Sequence, residues 1–310
     1  YGGTAINNIL PDEDKFYNKN EFPDYDFFSP TPLVHAKKLA DIYYQNGFIE
    51  VEAKSGIHSG TFKVYVNYIP VADITYLNEN LFNSIKKKSV KRANIHYAPP
   101  NFLRMSMYLE LSRPDGNITR WEKVLKRLSL LNKNYPLKDN ICKQNSFDKI
   151  LKYGMKSNHK THIKKDIYKL LLNFFITHKC VLFGMYAGNL YYNEYKKKTK
   201  NIKNVADFDI LYEDPEELSK MLKKKLISNG YEDIQIVKHE SIDDVIPEYI
   251  DFKLNNKTLV FIFKPIACHS YNVIDIKDKK IRVASMETIL SFYLAFLFLK
   301  KSKYKLNRLL

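Results

Sequence analysis

Phe22-Pro23-Asp24-Tyr25-Asp26-Phe27-Phe28 is the stretch on which the fold reading turns. Asp24 and Asp26 stand two apart among apolar residues, and residues i and i+2 of a strand point to the same side. Both carboxylates can therefore bind the same hard cations through oxygen. Tyr1-Gly2-Gly3-Thr4-Ala5-Ile6-Asn7 lies upstream, and Ile69-Pro70-Val71-Ala72-Asp73-Ile74-Thr75 lies downstream. Asp73 on a neighbouring strand would complete a clamp for two metals, acting on an attacking and a leaving oxygen.

The segments between these motifs read as a small α+β unit. Leu33, Ala36, Leu39, Ala40 and Tyr43 recur at helical spacing over Pro32 to Asn46, and Gly47 is a natural stop. Phe48 to Ala53 alternates as a half-buried strand, and Lys54 to Gly60 reads as a loop. Phe62, Val64, Val66 and Tyr68 alternate again, with Pro70 expected to break the run before the Asp73 strand. After about Asn78 the chain becomes basic, with Lys86-Lys87-Lys88, Lys91 and Arg92. Thr119-Arg120-Trp121-Glu122 fits a capping box opening a helix whose apolar stripe is Trp121, Val124, Leu125, Leu128 and Leu131. Pro136 to His159 reads as a connection.

The motifs occur twice. Phe183-Gly184-Met185-Tyr186-Ala187-Gly188-Asn189 echoes Tyr1 to Asn7, and Val205-Ala206-Asp207-Phe208-Asp209-Ile210 echoes Phe22 to Phe27. Gly2 to Asp24 spans 22 positions and Gly184 to Asp207 spans 23, while each aspartate pair precedes an Asn-Gly (Gly47, Gly230) by 23. Phe62-Lys63 and Phe252-Lys253 open a strand in each copy. Counting 11 on from Phe62 gives Asp73, and 11 on from Phe252 gives Phe263, so the second copy lacks the third carboxylate. The expectation is two tandem α+β domains, each a mixed sheet with flanking helices, the second degenerate. The expected bounds are 1–80 for a catalytic core, 81–160 for a helical, basic connecting region and 161–310 for the second domain. The chain opens at Tyr1 without a Met, and a strand like His178 to Phe183 is expected before it in a longer parent.

Composition narrows the partners. The 310 residues carry a formal charge of +16, which favours polyanions, nucleic acid first and an anionic membrane surface second. Cys142, Cys180 and Cys268 have no paired spacing, which suggests a reducing compartment and no disulfide framework. His159 and His162 have no Cys pair to make a zinc site. Ile289 to Leu299 is too short an apolar run to span a bilayer and reads as a buried or interface helix.

Gly2 and Gly3 would let the backbone approach phosphate oxygens at a helix start, with Thr4 adding a hydroxyl. An isolated Gly-Gly is usually a turn and an isolated Asp-x-Asp a solvated loop. Their order and the later Asp73 favour catalytic roles for Asp24, Asp26 and Asp73 as metal ligands. Arg120, Lys123, Lys126 and Arg127 could track an RNA backbone, though a solvated helix face accounts for them equally well. The runs Lys86 to Lys88, Lys196 to Lys198 and Lys223 to Lys225 are further candidates for phosphate contact.

Gly-Gly-Thr, Asp-x-Asp and a distal Asp together resemble the polymerase-β-like nucleotidyltransferase superfamily. Tyr1 to Asn7, Phe22 to Phe27, the Val64 to Thr75 region and Arg120-Trp-Glu-Lys-Val-Leu-Lys-Arg-Leu128 with Leu-Leu-Asn132 narrow this. They resemble the poly(A) polymerase catalytic subunit of large cytoplasmic DNA viruses, of poxvirus and mimivirus type. Gly3 stands where many superfamily members have Ser. The resemblance implies template-independent addition of AMP from ATP to the 3′-hydroxyl of mRNA, with Mg²⁺ or Mn²⁺. It implies metal-binding roles for Asp24, Asp26 and Asp73, a phosphate loop at Gly2 and Gly3, and a viral, cytoplasmic setting. A processivity subunit or a second copy are the partners it suggests beside RNA. A CCA- or uridylyl-adding transferase and an inactive RNA-binding scaffold stay open as alternatives.

Overall fold

The computed structural model describes residues 1–18, 20–114, 117–137, 164–195, 207–243, 245–276 and 279–298. Cys142, His159, His162, Lys196 to Lys198, Val205, Ala206, Leu299 and most of the connection read over Pro136 to His159 lie outside them. The chain is mixed α and β and divides into two compact units. The described residues of 1–107, 117–137 and 294–298 make the first, and those of 108–114 and 164–293 the second.

In the first unit, α1 (Gly2–Ile9) leads to β1 (Tyr25–Ser29), α2 (Pro32–Gln45), β2 (Val51–Ser55), β3 (Thr61–Val66) and β4 (Ile69–Tyr76). The strands form a sheet in the order β1-β4-β3-β2, with β1 parallel to β4 and the other pairs antiparallel. Thr31-Pro32 starts α2, where proline's missing N–H costs nothing, and Gly47 leaves it at φ +90°. Ala36 of α2 packs on Val64, Ala72 and Ile74, with Phe27, Leu39 and Phe62 around them. Each aliphatic side chain buried there stabilises by roughly 1.5–3 kcal/mol. The contact is narrower than the helical stripe suggested, because Leu33 stays exposed.

Two sheet expectations need correction. Phe48 and Ile49 are exposed and precede β2, which begins at Val51. Pro70 does not end a run but sits inside β4, where the ladder shifts register between Val64 and Tyr65. An irregularity there accommodates a residue that cannot donate to the ladder. Asn67 and Tyr68, both at positive φ, turn β3 into β4.

The rest of this unit is α3 (Glu79–Lys87), the hairpin β5 (Val90–Arg92) and β6 (Ile95–Tyr97), α4 (Pro100–Leu111), whose residues from 108 on belong to the second unit, and α5 (Trp121–Asn134). The expected capping box does not form. Helix α5 starts at Trp121, and Asn117 instead accepts from the Thr119 amide at the head of a short 3-10 turn. Val124, Leu128 and Leu131 are buried as expected, Leu125 is exposed and Trp121 is half-buried.

The second unit contains α6 (Lys165–Thr177), β7 (Val181–Phe183), α7 (Gly184–Tyr195), β8 (Phe208–Leu211), α8 (Pro215–Ile227) and β9 (Ile234–His239). Next come β10 (Tyr249–Leu254), β11 (Lys257–Phe263), β12 (Tyr271–Ile276), β13 (Lys279–Ala284) and α9 (Met286–Phe296), whose residues from 294 on belong to the first unit. Its sheet runs β12-β13-β7-β8-β11-β10-β9. The part β8-β11-β10-β9 has the same order and strand senses as β1-β4-β3-β2. Asp214 caps α8 by accepting from the Glu217 amide, and Gly230 follows that helix at φ +81°. Ile289, Phe292, Leu294, Ala295 and Phe296 bury the apolar run of α9, and no described helix is long and apolar enough to cross a membrane.

His269 is buried in the second unit, with Nδ1 3.3 Å from Ser112 Oγ and Nε2 without a partner. Burial, and then the charge of Arg113, pushes its pKa down to about 4. The folded state thus holds the imidazole neutral, and the stability this confers is present above about pH 6.5 and lost as pH falls toward 4. His269→Phe should flatten the acid loss of stability of this unit by on the order of 2 kcal/mol. Urea midpoints of both proteins between pH 7.5 and 4 check this; parallel curves would contradict it.

Candidate active site

Parallel pairing of β1 with β4 sets Asp26 directly opposite Asp73, and Asp24 stands two residues before Asp26 on the same side. Alternation sends Phe27 and Ile74 toward α2 and the carboxylates to the other face. One oxygen from each of Asp24, Asp26 and Asp73 lies within 4.8 Å of the others. Like charges so close favour protonation: burial first, then the charge of Asp24, pushes the Asp26 carboxyl up to about 6. A cluster of carboxylate oxygens with this crowding fits hard divalent cations such as Mg²⁺ or Mn²⁺.

The row continues onto β3. Lys63 pairs in register with Asp73, and its Nζ lies 2.8 Å from Oδ1 and 2.6 Å from Oδ2 of that aspartate. That hydrogen bond holds the Lys63 pKa above its ordinary value. Sequence reading noted Lys63 only as part of a strand start. Its place beside the triad becomes visible once the β3–β4 hairpin register is known.

The three residues expected to receive phosphate have separate surroundings. Gly2 begins α1 at φ +70°, and a Cβ there would lie 2.0 Å from Asp26 Oδ2. A Cβ on Gly3 would come within 2.4 Å of the Tyr17 hydroxyl and 2.7 Å of Arg127 Nη2. The Thr4 hydroxyl is engaged, donating to the Asp24 carbonyl at 2.9 Å and tying α1 to the start of β1.

Arg120, just before α5, and Lys123, Lys126 and Arg127 on it do not share one environment. Arg120, Lys123 and Lys126 are exposed. Arg127 turns toward α1, where its Nη2 donates to Tyr17 Oη at 2.9 Å and its guanidinium lies 5.0 Å from the Phe16 ring centroid. Arg127 lies three residues after the buried Val124 and four before the buried Leu131, a spacing that placed it beside the apolar stripe from the start. In the basic stretch, Lys88 donates to the Leu297 carbonyl and Arg92 to the Asn8 carbonyl, while Lys86, Lys87 and Lys223 to Lys225 are exposed.

The second unit repeats the glycine contact. Gly184 has φ +66°, and a Cβ on it would lie 2.0 Å from Asp209 Oδ2. The residue opposite Asp209 is Phe261, which also pairs with Asp251 on β10. Phe261, and not the Phe263 found by counting, therefore stands at the place of Asp73. The count matched Phe62 with Phe252, whereas strand register matches Lys63 with Asp251.

Three carboxylates gathered on one side of two parallel strands, beside a helix start, make an arrangement that could hold metal for phosphoryl transfer. Residues 1–117 match the family model described as "Poly(A) polymerase catalytic subunit", and the resemblance read from Tyr1 to Asn7 and Phe22 to Phe27 is borne out. The Arg120 to Leu128 segment lies beyond that match. The chain is 34% identical over 143 residues to the "Putative poly(A) polymerase catalytic subunit" of Acanthamoeba polyphaga mimivirus, covering 45% of this chain and 24% of the relative. It is 35% identical over 144 residues to the protein so described in African swine fever virus (strain Badajoz 1971 Vero-adapted), covering 44% and 30%. Its fold is similar to the crystal structure of the Megavirus polyadenylate synthase, with TM-score 0.75 and 23% identity over 96% of this chain and 60% of that one. The chain thus spans a quarter to a third of the length of these curated relatives.

Gly2 and Gly47 separate packing from backbone freedom. Both have positive φ, but a Cβ on Gly47 would meet nothing within 4 Å. Gly47→Ala should cost about 1 kcal/mol in a urea titration, the strain of a left-handed alanine. Gly2→Ala should cost roughly 3 kcal/mol or more, since strain is joined by collision with the Asp26 carboxylate. Equal losses would show that this contact does not constrain the helix start.

Proposed function

We propose that this chain carries the catalytic core of a template-independent polynucleotide adenylyltransferase, adding AMP from ATP to the 3′-hydroxyl of mRNA. The observation that carries the reading is the Asp24–Asp26–Asp73 cluster behind a glycine helix start, in a segment that matches the poly(A) polymerase catalytic-subunit family. The description of the viral relatives as poly(A) polymerases supports ATP as nucleotide and RNA as acceptor.

In this reading Asp24, Asp26 and Asp73 hold two divalent cations, Mg²⁺ or Mn²⁺. When bound, these would neutralise the triphosphate and favour ionisation of the 3′-hydroxyl. The backbone of Gly2 and Gly3 at the head of α1 faces the triphosphate, with N–H groups as donors. The carboxylates orient the reacting groups for in-line attack. The 3′-oxygen bonds to the α-phosphorus, the bond from that phosphorus to the bridging oxygen breaks, the hydroxyl proton is lost to solvent and pyrophosphate leaves. Positioning and charge supply most of the catalysis in such a step. Arg120, Lys123 and Lys126 stand exposed to contact an RNA backbone, while Arg127 shapes the helix start.

The proposed organisation is a catalytic core over 1–80, a connecting region over 81–160 and a second, degenerate transferase-like domain over 161–310. The shared strand order and the Gly184–Asp209 contact support descent from a common unit, and Phe261 in place of an acid supports loss of catalysis there. The enzyme would act in the cytoplasm on RNA 3′ ends, with a processivity subunit or a second copy as partner.

Primer extension by the full-length natural protein tests the activity. A labelled RNA with a free 3′-hydroxyl is incubated with each NTP separately and Mg²⁺ or Mn²⁺, beside Asp24→Ala/Asp26→Ala. Long ladders with ATP alone, absent in the double variant, are expected. Ladders with CTP or UTP would point to another nucleotide specificity. No extension by folded protein that binds RNA would leave the scaffold reading.

A further inference from the structure

Among the described residues Lys63 is the one side-chain cation paired with a triad carboxylate, and it holds both oxygens of Asp73 at once. Its hold is built into the sheet. Lys63, Asp73 and Asp26 occupy one row across β3, β4 and β1, so the ammonium approaches from the side opposite Asp26. Both partners are half-buried, with side chains 27% and 17% exposed, which screens the pair less than a surface salt bridge. In the second unit the corresponding row reads Asp251, Phe261 and Asp209, so where the third acid is absent the lysine is absent too.

A divalent cation shared by Asp26 and Asp73 needs oxygen lone pairs that now face the ammonium, and it would sit close to a positive charge. We propose that Lys63 occupies the metal-facing carboxylate Asp73 as a resident counter-charge, and that it yields this place when a nucleoside triphosphate offers its phosphates to the ammonium. The exchange makes the metal shared by Asp26 and Asp73 conditional on nucleotide. Lys63 is a positioning residue in this account, acting through Asp73. The inference rests on the metal-binding role proposed for the triad.

The test is Mn²⁺ binding to the full chain, followed by electron paramagnetic resonance, with and without an ATP analogue whose α–β bridge cannot be cleaved. Lys63→Met removes the charge and keeps the aliphatic stem, and Lys63→Gln keeps a hydrogen-bond donor for Asp73 without the charge. Without nucleotide, both variants should bind Mn²⁺ about tenfold more tightly than the wild type, equivalent to ~1.4 kcal/mol. The analogue should strengthen Mn²⁺ binding by the wild type and do so less for either variant. Should Lys63→Met fail to fold, Lys63→Gln carries the same comparison. Affinity unchanged or weakened in the folded variants would overturn the role of Lys63 while leaving the metal site intact. Mn²⁺ binding that is indifferent to Asp26→Asn would instead overturn the metal-site reading, and this inference with it.

Discussion

Everything at this site depends on one steric fact: the carboxylate of Asp26 occupies the space where residue 2 would have a Cβ. The parallel pairing of β1 with β4 fixes Asp26 opposite Asp73, and the first turn of α1 closes over the same carboxylate. Only glycine meets both demands, positive φ and no side chain. Thr4 adds a second tie by donating to the Asp24 carbonyl, so helix and strand are locked at adjacent points. The three carboxylates are held together by backbone pairing and packing, against their mutual repulsion. Burial first, and then the charge of Asp24, raises the pKa of Asp26.

The second unit shows which part of this arrangement is architecture and which is chemistry. Gly184 and Asp209 reproduce the Gly2–Asp26 contact almost to the tenth of an ångström, although the acid across the ladder is replaced by Phe261. A glycine pressed on the second aspartate of an Asp-x-Asp strand therefore persists without the third carboxylate. It belongs to the joining of helix and sheet. What distinguishes the first unit is the pair that the second lacks, Asp73 with Lys63, contributed by the two strands of one hairpin.

The local motifs were legible because they depend on near neighbours. The start of α2 at Thr31-Pro32, its stop at Gly47, the alternation along β3 and the common side of Asp24 and Asp26 all follow from spacing of a few residues. What sequence spacing missed depends on partners far along the chain. Lys63 lies ten residues from Asp73 but touches it only because a hairpin folds the two together. Arg127 and Tyr17 are separated by 110 positions and meet over Gly3. Counting gave Phe263 where register gives Phe261, because an offset in sequence does not fix which strand rows align. The capping box at Thr119 to Glu122 failed for a local reason, since Asn117 captured the Thr119 amide first.

The charge distribution ties these parts together. A chain with formal charge +16 attracts polyanions over much of its surface, yet the candidate site concentrates three carboxylates against one lysine. Phosphate groups would be drawn to the molecule and repelled at the acid cluster. Lys63 sets a local positive charge against that cluster, and divalent cations at the proposed metal site would offset it further. Placement of a base directly beside the three acids thus eases their mutual repulsion in the folded protein. It lets the carboxylates remain close together.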